Sequence, residues 1–238
     1  MSALGLPVLT QTQIQNYQVG VPGTPDVIWS PRYDFVAYPS AGGTQFTFYA
    51  NPIGQGVTST PGGGAGVAKT LYDTNLAISN QLTKGNQFLA VGSETLVLPG
   101  VSNAALPLTI QPGRSNTPGT ATSIGVFVND VWSILNGGLK TLAVGTDRNY
   151  IQDGPLLMFP PVARLAVHAA LASGATASGE EIAYATGSGA PYSLVPIFID
   201  SNQSFTLTVT FQAAIPTPSQ QIARLGDRLR GYLIRQAT

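Results

Sequence analysis

Glycine and proline interrupt this chain so often that neither long helices nor long uninterrupted apolar runs are open to it. The 238 residues include 27 Gly and 18 Pro, close to a fifth of the chain. Such punctuation leaves short segments, which is what an all-β sandwich or barrel requires. No period of roughly 20–50 residues repeats, so a propeller or solenoid is not expected. A chain of this length buries roughly 70% of its unfolded surface and needs neither a disulfide nor a metal to hold its core.

The segments between the breaks read mainly as strands. Residues 1–30 carry Pro7, Pro22 and Pro25 and are predicted to form an extended arm. Residues 31–238 form the main domain. Within it, Asp34–Pro39 and Thr44–Ala50 flank the turn Ser40-Ala41-Gly42-Gly43, and Phe46 and Phe48 alternate with polar neighbours. Leu71–Ser79, Gln87–Leu98, Leu139–Gly145, Arg148–Gln152, Leu156–Phe159, Ser193–Ile199 and Ser204–Phe211 are further strands. Ile124, Phe127, Val131 and Leu135 recur at helical spacing, so Ser123–Leu135 is predicted as a helix ended by Gly137-Gly138. The alanine-rich Val162–Ala172 also reads as helical, and Ser173–Gly189 as a flexible loop. Thr217-Pro218-Ser219-Gln220 resembles a helix start, which predicts a short helical lead-in before a last strand near Arg228–Arg235. The strand count suits a single eight-stranded jelly-roll sandwich with long loops and one or two short helices, a compact double jelly roll being the alternative.

Charge is the second constraint. Lys, Arg, Asp and Glu make up 9% of the chain, against ~25% in an ordinary soluble domain, and mean hydropathy is +0.16. A surface so poor in charge is usually covered by other protein, because large neutral patches mark interaction sites. A secreted module with a Ser/Thr/Asn/Gln surface is the competing interpretation. Formal net charge is zero, so the molecule as a whole is not an electrostatic nucleic-acid binder. Met1–Asp26 has no Lys or Arg and no compact apolar core, so no signal peptide is predicted. Pro99, Gly100, Pro107 and Pro112 break the uncharged run Thr95–Gly113, which argues against a membrane span there.

Few residues can carry chemistry. The absence of Cys excludes thiol catalysis and Cys-based metal sites, and the single His excludes any site needing two imidazoles. No metal or cofactor is expected. Gly63–Thr70 approaches a phosphate-binding loop, but Ala68 stands where that loop needs Gly before Lys69, and no buried strand precedes it. His168 lies in an apolar stretch with no carboxylate within ten residues on either side; a structural histidine is favoured over a hydrolase base. Glu180-Glu181 is the one acidic pair and reads as a solvated loop tip, not a glycosidase couple. No catalytic constellation remains, so an enzyme is not expected. The only charge concentration is Arg224, Arg228, Arg230 and Arg235, which with Asp227 gives residues 224–235 a net charge of +3. In a strand, Arg228 and Arg230 share one face and Leu229 and Leu233 the other, with Arg235 falling on the leucine side. These arginines are the candidate interface. A protein neighbour is favoured over nucleic acid or anionic lipid.

Three stretches suggest a family. They are Thr74-Asn75-Leu76 with Gln81–Leu89, then Leu142–Gly145 with Tyr150 and Gly154–Pro160, then Pro196–Ile199, Gln203–Leu207 and Leu229–Arg235. Their order over about residues 70–235 resembles the vertical jelly-roll major capsid proteins of tailless icosahedral bacteriophages of the corticovirus and finnlakevirus kind. The resemblance implies a structural subunit of a virion, assembled in the host cytoplasm, with no catalytic residues. It implies self-association into trimers or pseudo-hexameric capsomers. It also implies contact with other capsid proteins such as a penton or spike, and an inner face toward genome or membrane. Chains with two jelly rolls are usually longer, which favours one here. A carbohydrate-binding or adhesion β-sandwich, such as a phage spike, is the alternative.

Overall fold

The computed structural model describes residues 26–57, 68–98, 124–146, 148–160, 165–173, 177–185, 192–218 and 220–235. Most of the expected arm, the Pro99–Thr120 loop and the Gly63–Val67 part of the glycine-rich loop lie outside them. The chain is an all-β sandwich of two antiparallel sheets. Strands β1 (Asp26–Trp29), β2 (Arg32–Tyr38), β3 (Gln45–Phe48) and β4 (Asn86–Leu98) come first. Helix α1 (Ile124–Leu135) precedes a hairpin of β5 (Leu139–Val144) and β6 (Arg148–Asp153). A second hairpin, β7 (Leu165–Ser173) with β8 (Ala177–Ala185), leads to β9 (Tyr192–Ile199), β10 (Phe205–Thr210) and β11 (Ala223–Arg235).

Strand β11 is the seam of the first sheet. On one side it pairs along its length with β4. On the other it pairs first with β2 and then with β1, which follow one another along the same edge. Strand β9 closes the far side of β4. The second sheet runs β3, β10, β5, β6. Period-two alternation decides what lies between the sheets. Phe46 and Phe48 of β3, Phe205, Leu207 and Val209 of β10, and Leu142 and Val144 of β5 meet Tyr38, Phe88, Ala90, Leu225 and Leu229 of the first sheet in one core. Helix α1 adds Val131, Ile134 and Leu135 to that core and stops at Gly137-Gly138, where Gly138 adopts φ +83°. The helix expected from the spacing is therefore present.

A bulge reverses the faces of β4 midway. Arg230 lies opposite Gly92 but Gly231 lies opposite Ala90, so Val91 is the extra residue. Val97 faces the main core on one side of the bulge, and Ala90 and Phe88 do so on the other. Leu89 and Val91 instead join Ile234 in a small second cluster with Val27, Phe198 and Tyr232. Gly231 permits this crossing, because a Cβ there would lie 2.1 Å from the Leu89 carbonyl oxygen.

Four expectations fail, each for a local reason. Leu71–Ser79 is not a strand but a turn-rich loop with isolated bridges. The Asp73 carboxylate accepts the Thr70 N–H at 2.8 Å and its hydroxyl at 3.0 Å, bending the chain where extension was expected. Leu156–Phe159 is not a strand but a 3₁₀ turn, Leu156–Met158, capped by Phe159. Its spacing of three sends Leu156 and Phe159 into the same core. The alanine-rich segment is strand β7, and part of the expected loop is its partner β8, paired over nine residues; cross-strand bonding overrides alanine's helix propensity. Finally, no helical lead-in to β11 occurs among the described residues. Thr217 receives the Gln220 N–H at 2.9 Å, and Gln220 takes φ +59°, which ends the turn and lets β11 begin at Ala223.

Leu229 is fully buried between the sheets, so Leu229→Ala is expected to cost about 2–5 kcal/mol in urea unfolding. Gly231→Ala is expected to cost about 1–3 kcal/mol, because backbone must yield at the bulge.

Candidate functional site

The four candidate arginines lie on β11, and each meets a carboxylate of its own chain. Arg224 pairs with Asp73 while its guanidinium stacks 4.9 Å from the Phe35 ring centroid. Gly226 makes room for that ring, since a Cβ there would come 2.3 Å from it. Arg228 and Arg230 share the outer face of the first sheet and both reach Glu94 of β4 at 3.2 Å. The register explains this: Arg228 lies directly opposite Glu94, and Arg230 opposite the neighbouring Gly92. Arg235 and Asp26 form an exposed pair at 2.7 Å across β11 and β1. The expected division of faces holds for Leu229, which enters the core, against Arg228 and Arg230. Four arginines on three carboxylates leave one net positive charge, so the group meets any neighbour mostly as neutralised pairs.

A second set of charges, not singled out by sequence reasoning, lies inside the sandwich. Asp34 of β2 and Asp227 of β11 stand directly opposite one another in register. Each has its own buried lysine. Lys69 Nζ lies 2.6 Å from Asp34 Oδ1, and Lys140, reaching from β5 in the other sheet, contacts Asp227 Oδ2. Tyr49 joins the two acids. Its backbone N–H donates to Asp34 Oδ2 at 2.6 Å and its hydroxyl to Asp227 Oδ1 at 3.2 Å. Lys140 Nζ also donates to Thr95 Oγ1 at 3.2 Å and sits 4.5 Å from the Phe159 ring centroid. Burial pushes both carboxyl groups up, against the pull of their lysines, and pushes Lys140 down, against the pull of Asp227. Tyr49 is held well above the ordinary phenol range, first by burial and then by Asp227, so it remains a donor.

One sequence signal for this cluster was available. Lys140 shares its strand face with Leu142 and Val144, and Asp227 shares its face with Leu225 and Leu229. A charge at an inward position of an apolar alternation predicts a buried partner. Which partner it finds depends on the pairing of distant strands, which no local pattern supplies.

The other candidates are dispersed. Lys69, the lysine of the phosphate-loop pattern, is committed to Asp34 in the interior. His168 is on β7 opposite Ile182, and Glu180 and Glu181 are on β8 opposite Ala170 and Ala169. The acidic pair is therefore in a strand, not at a loop tip, because the hairpin carries the chain through it.

Removing Lys69 leaves Asp34 buried without its cation. Lys69→Met is expected to cost about 3–5 kcal/mol at neutral pH. The folded-state pKa of Asp34 is already raised, and losing Lys69 raises it further. Stability is then fully present where the acid is protonated and is lost as pH rises through that pKa. Urea unfolding of the variant should therefore show a smaller deficit at mildly acidic pH than at neutral pH. Comparison with protein-family models, with characterised proteins and with solved structures finds no match to this chain.

Proposed function

We propose that this chain is a self-assembling structural subunit with a jelly-roll fold, most plainly the major capsid protein of an icosahedral virion. Strand pairing supports the fold. If β1 with β2 count as one edge and the β7–β8 hairpin as an insertion, eight strands remain. The first pairs with the last, the second with the seventh, the third with the sixth and the fourth with the fifth. The added pairings of β11 with β4 and β10 with β5 roll that long double ribbon into two sheets. These pairings support an eight-stranded jelly roll. The resemblance of three stretches of the sequence to jelly-roll capsid proteins points the same way.

The observation that carries the function is the outer face of the second sheet. Thr47, Thr208, Thr141 and Gln152 form one row across all four strands, in register. Gln45, Thr206, Thr210, Leu139 and Ala143 occupy the flanking rows. No charged residue stands in these rows. Depletion of charge is what the centre of a protein interface shows, and a sheet face rich in threonine offers a neighbour both methyl groups and hydroxyls. The scarce charges are meanwhile spent within the chain, on Asp34, Asp73, Asp227 and Glu94. Exposed apolar side chains such as Tyr72 and Val195, each 87% exposed, add to a surface suited to contact with protein. The single net positive charge of the arginine group is thin for holding a genome, so protein neighbours are the favoured partners.

Thr208→Arg places a charge at the centre of the neutral face. Such a surface substitution changes subunit stability by only about 0.5 kcal/mol. The wild-type protein should give capsomers or particles in light scattering and negative-stain micrographs, and the variant should give folded subunits with assembly lost or at least tenfold weaker, roughly the effect of 1.4 kcal/mol. A wild-type protein that stays monomeric and binds glycans would favour the adhesion alternative. Normal particles from the variant would remove this face from the assembly contacts.

A further inference from the structure

The cluster inside the sandwich holds more than a pair of opposite charges. Lys140 and Asp227 come from different sheets, both are fully buried, and their Nζ and Oδ2 atoms touch. The other inward residues of β5, Leu142 and Val144, are apolar. We propose that Lys140 and Asp227 form an intramolecular isopeptide bond between Nζ and Cγ, tying the two sheets together covalently.

The bond balances without any co-reactant. Starting from ammonium and carboxylate, Nζ gives up two protons and Cγ gives up Oδ2, which leave together as one water. The amine lone pair forms the new Nζ–Cγ bond. Burial moves both groups toward the forms this step needs, a free amine and a neutral acid. The Tyr49 hydroxyl, donating to Oδ1, is placed where negative charge develops when Nζ adds to the carboxyl carbon. Thr95 Oγ1 accepts from Nζ and orients it, and the Phe159 ring walls the amine off on another side. The departing water leaves an apolar interior, which favours the amide.

The neighbouring pair is a built-in control. Asp34 accepts the Tyr49 N–H and the Lys69 ammonium, both at 2.6 Å, one on each oxygen. Asp34 also takes a third donor, the Thr74 hydroxyl, where Asp227 takes only Tyr49 and Lys140, and each added donor favours the charged carboxylate, which is a poor acceptor for an amine. Linkage is therefore assigned to Lys140 with Asp227 and not to Lys69 with Asp34.

Intact-mass measurement of the full-length folded protein tests this directly. The expected mass lies below the sequence mass by one water, after allowance for the initiator methionine, and proteolysis should release one branched peptide joining the Lys140 and Asp227 segments. Lys140→Arg keeps the charge but cannot form the bond, and should restore the full sequence mass. Tyr49→Phe keeps the ring and loses the donor, and should give a mixture of linked and unlinked chains. A folded wild-type protein at full sequence mass would overturn the proposal. So would a lost water that maps to any other pair of residues, Lys69 with Asp34 included. Should Lys140→Arg fail to fold, the wild-type mass and its branched peptide decide alone.

Discussion

The contact between Lys140 and Asp227 crosses the space between the two sheets, and Tyr49, Thr95 and Phe159 close around it. Taking two charges out of water costs several kcal/mol per ion unless geometry and further hydrogen bonds compensate. Here the compensation is supplied by residues from five places in the chain: Tyr49 after β3, Thr95 on β4, Phe159 after the 3₁₀ turn, Lys140 on β5 and Asp227 on β11. An apolar pair would pack as well, but it would tolerate many relative placements of the sheets. The polar set is satisfied in few, so it favours one alignment of β5 over β11.

Strand β11 holds this arrangement in place because it carries three separate functions on two faces. Its inner positions give Leu225, Asp227 and Leu229 to the core; its outer positions give Arg224, Arg228 and Arg230 to carboxylates on neighbouring segments. Its edges pair with β4 on one side and with β2 and β1 on the other. The two glycines in this strand mark places where something else comes close: the Phe35 ring at Gly226 and the Leu89 carbonyl at Gly231. The same residues that would weaken a helix here are what allow a long strand to be crossed by a ring and a bulge.

Spending charge internally has a consequence at the surface. Acidic and basic groups that pair within the chain do not repel or solvate at its exterior, and the outer face of the second sheet is left with threonine, glutamine and alanine. A monomer with such a face is poorly protected against association. Under the proposed assembly, copies of the chain cover that face. The electrostatics of the interior and the neutrality of the flank are thus two aspects of one allocation of few charges.

Local patterns in the sequence were enough for the elements whose neighbours matter least. The alternation of Phe46 with Phe48, and of Phe205, Leu207 and Val209 with threonines, identifies half-buried strands because side chains alternate whatever the partner is. The stripe ending at Gly137-Gly138 identifies α1 for the equivalent reason at helical period. The all-β class followed from the density of glycine and proline. Tertiary structure decided the rest. Whether the alanine-rich segment became helix or strand depended on a partner nine residues long. Whether Leu71–Ser79 extended depended on an Asp73 that also holds Arg224 from the far end of the chain. The partners of Arg228, Arg230 and Arg235 depended on registers between strands more than a hundred residues apart in sequence. A chain's own periodicity says which side of a strand is apolar, but a charge finds its counterpart only through the pairing of distant strands, and that is settled by the collective burial of the core.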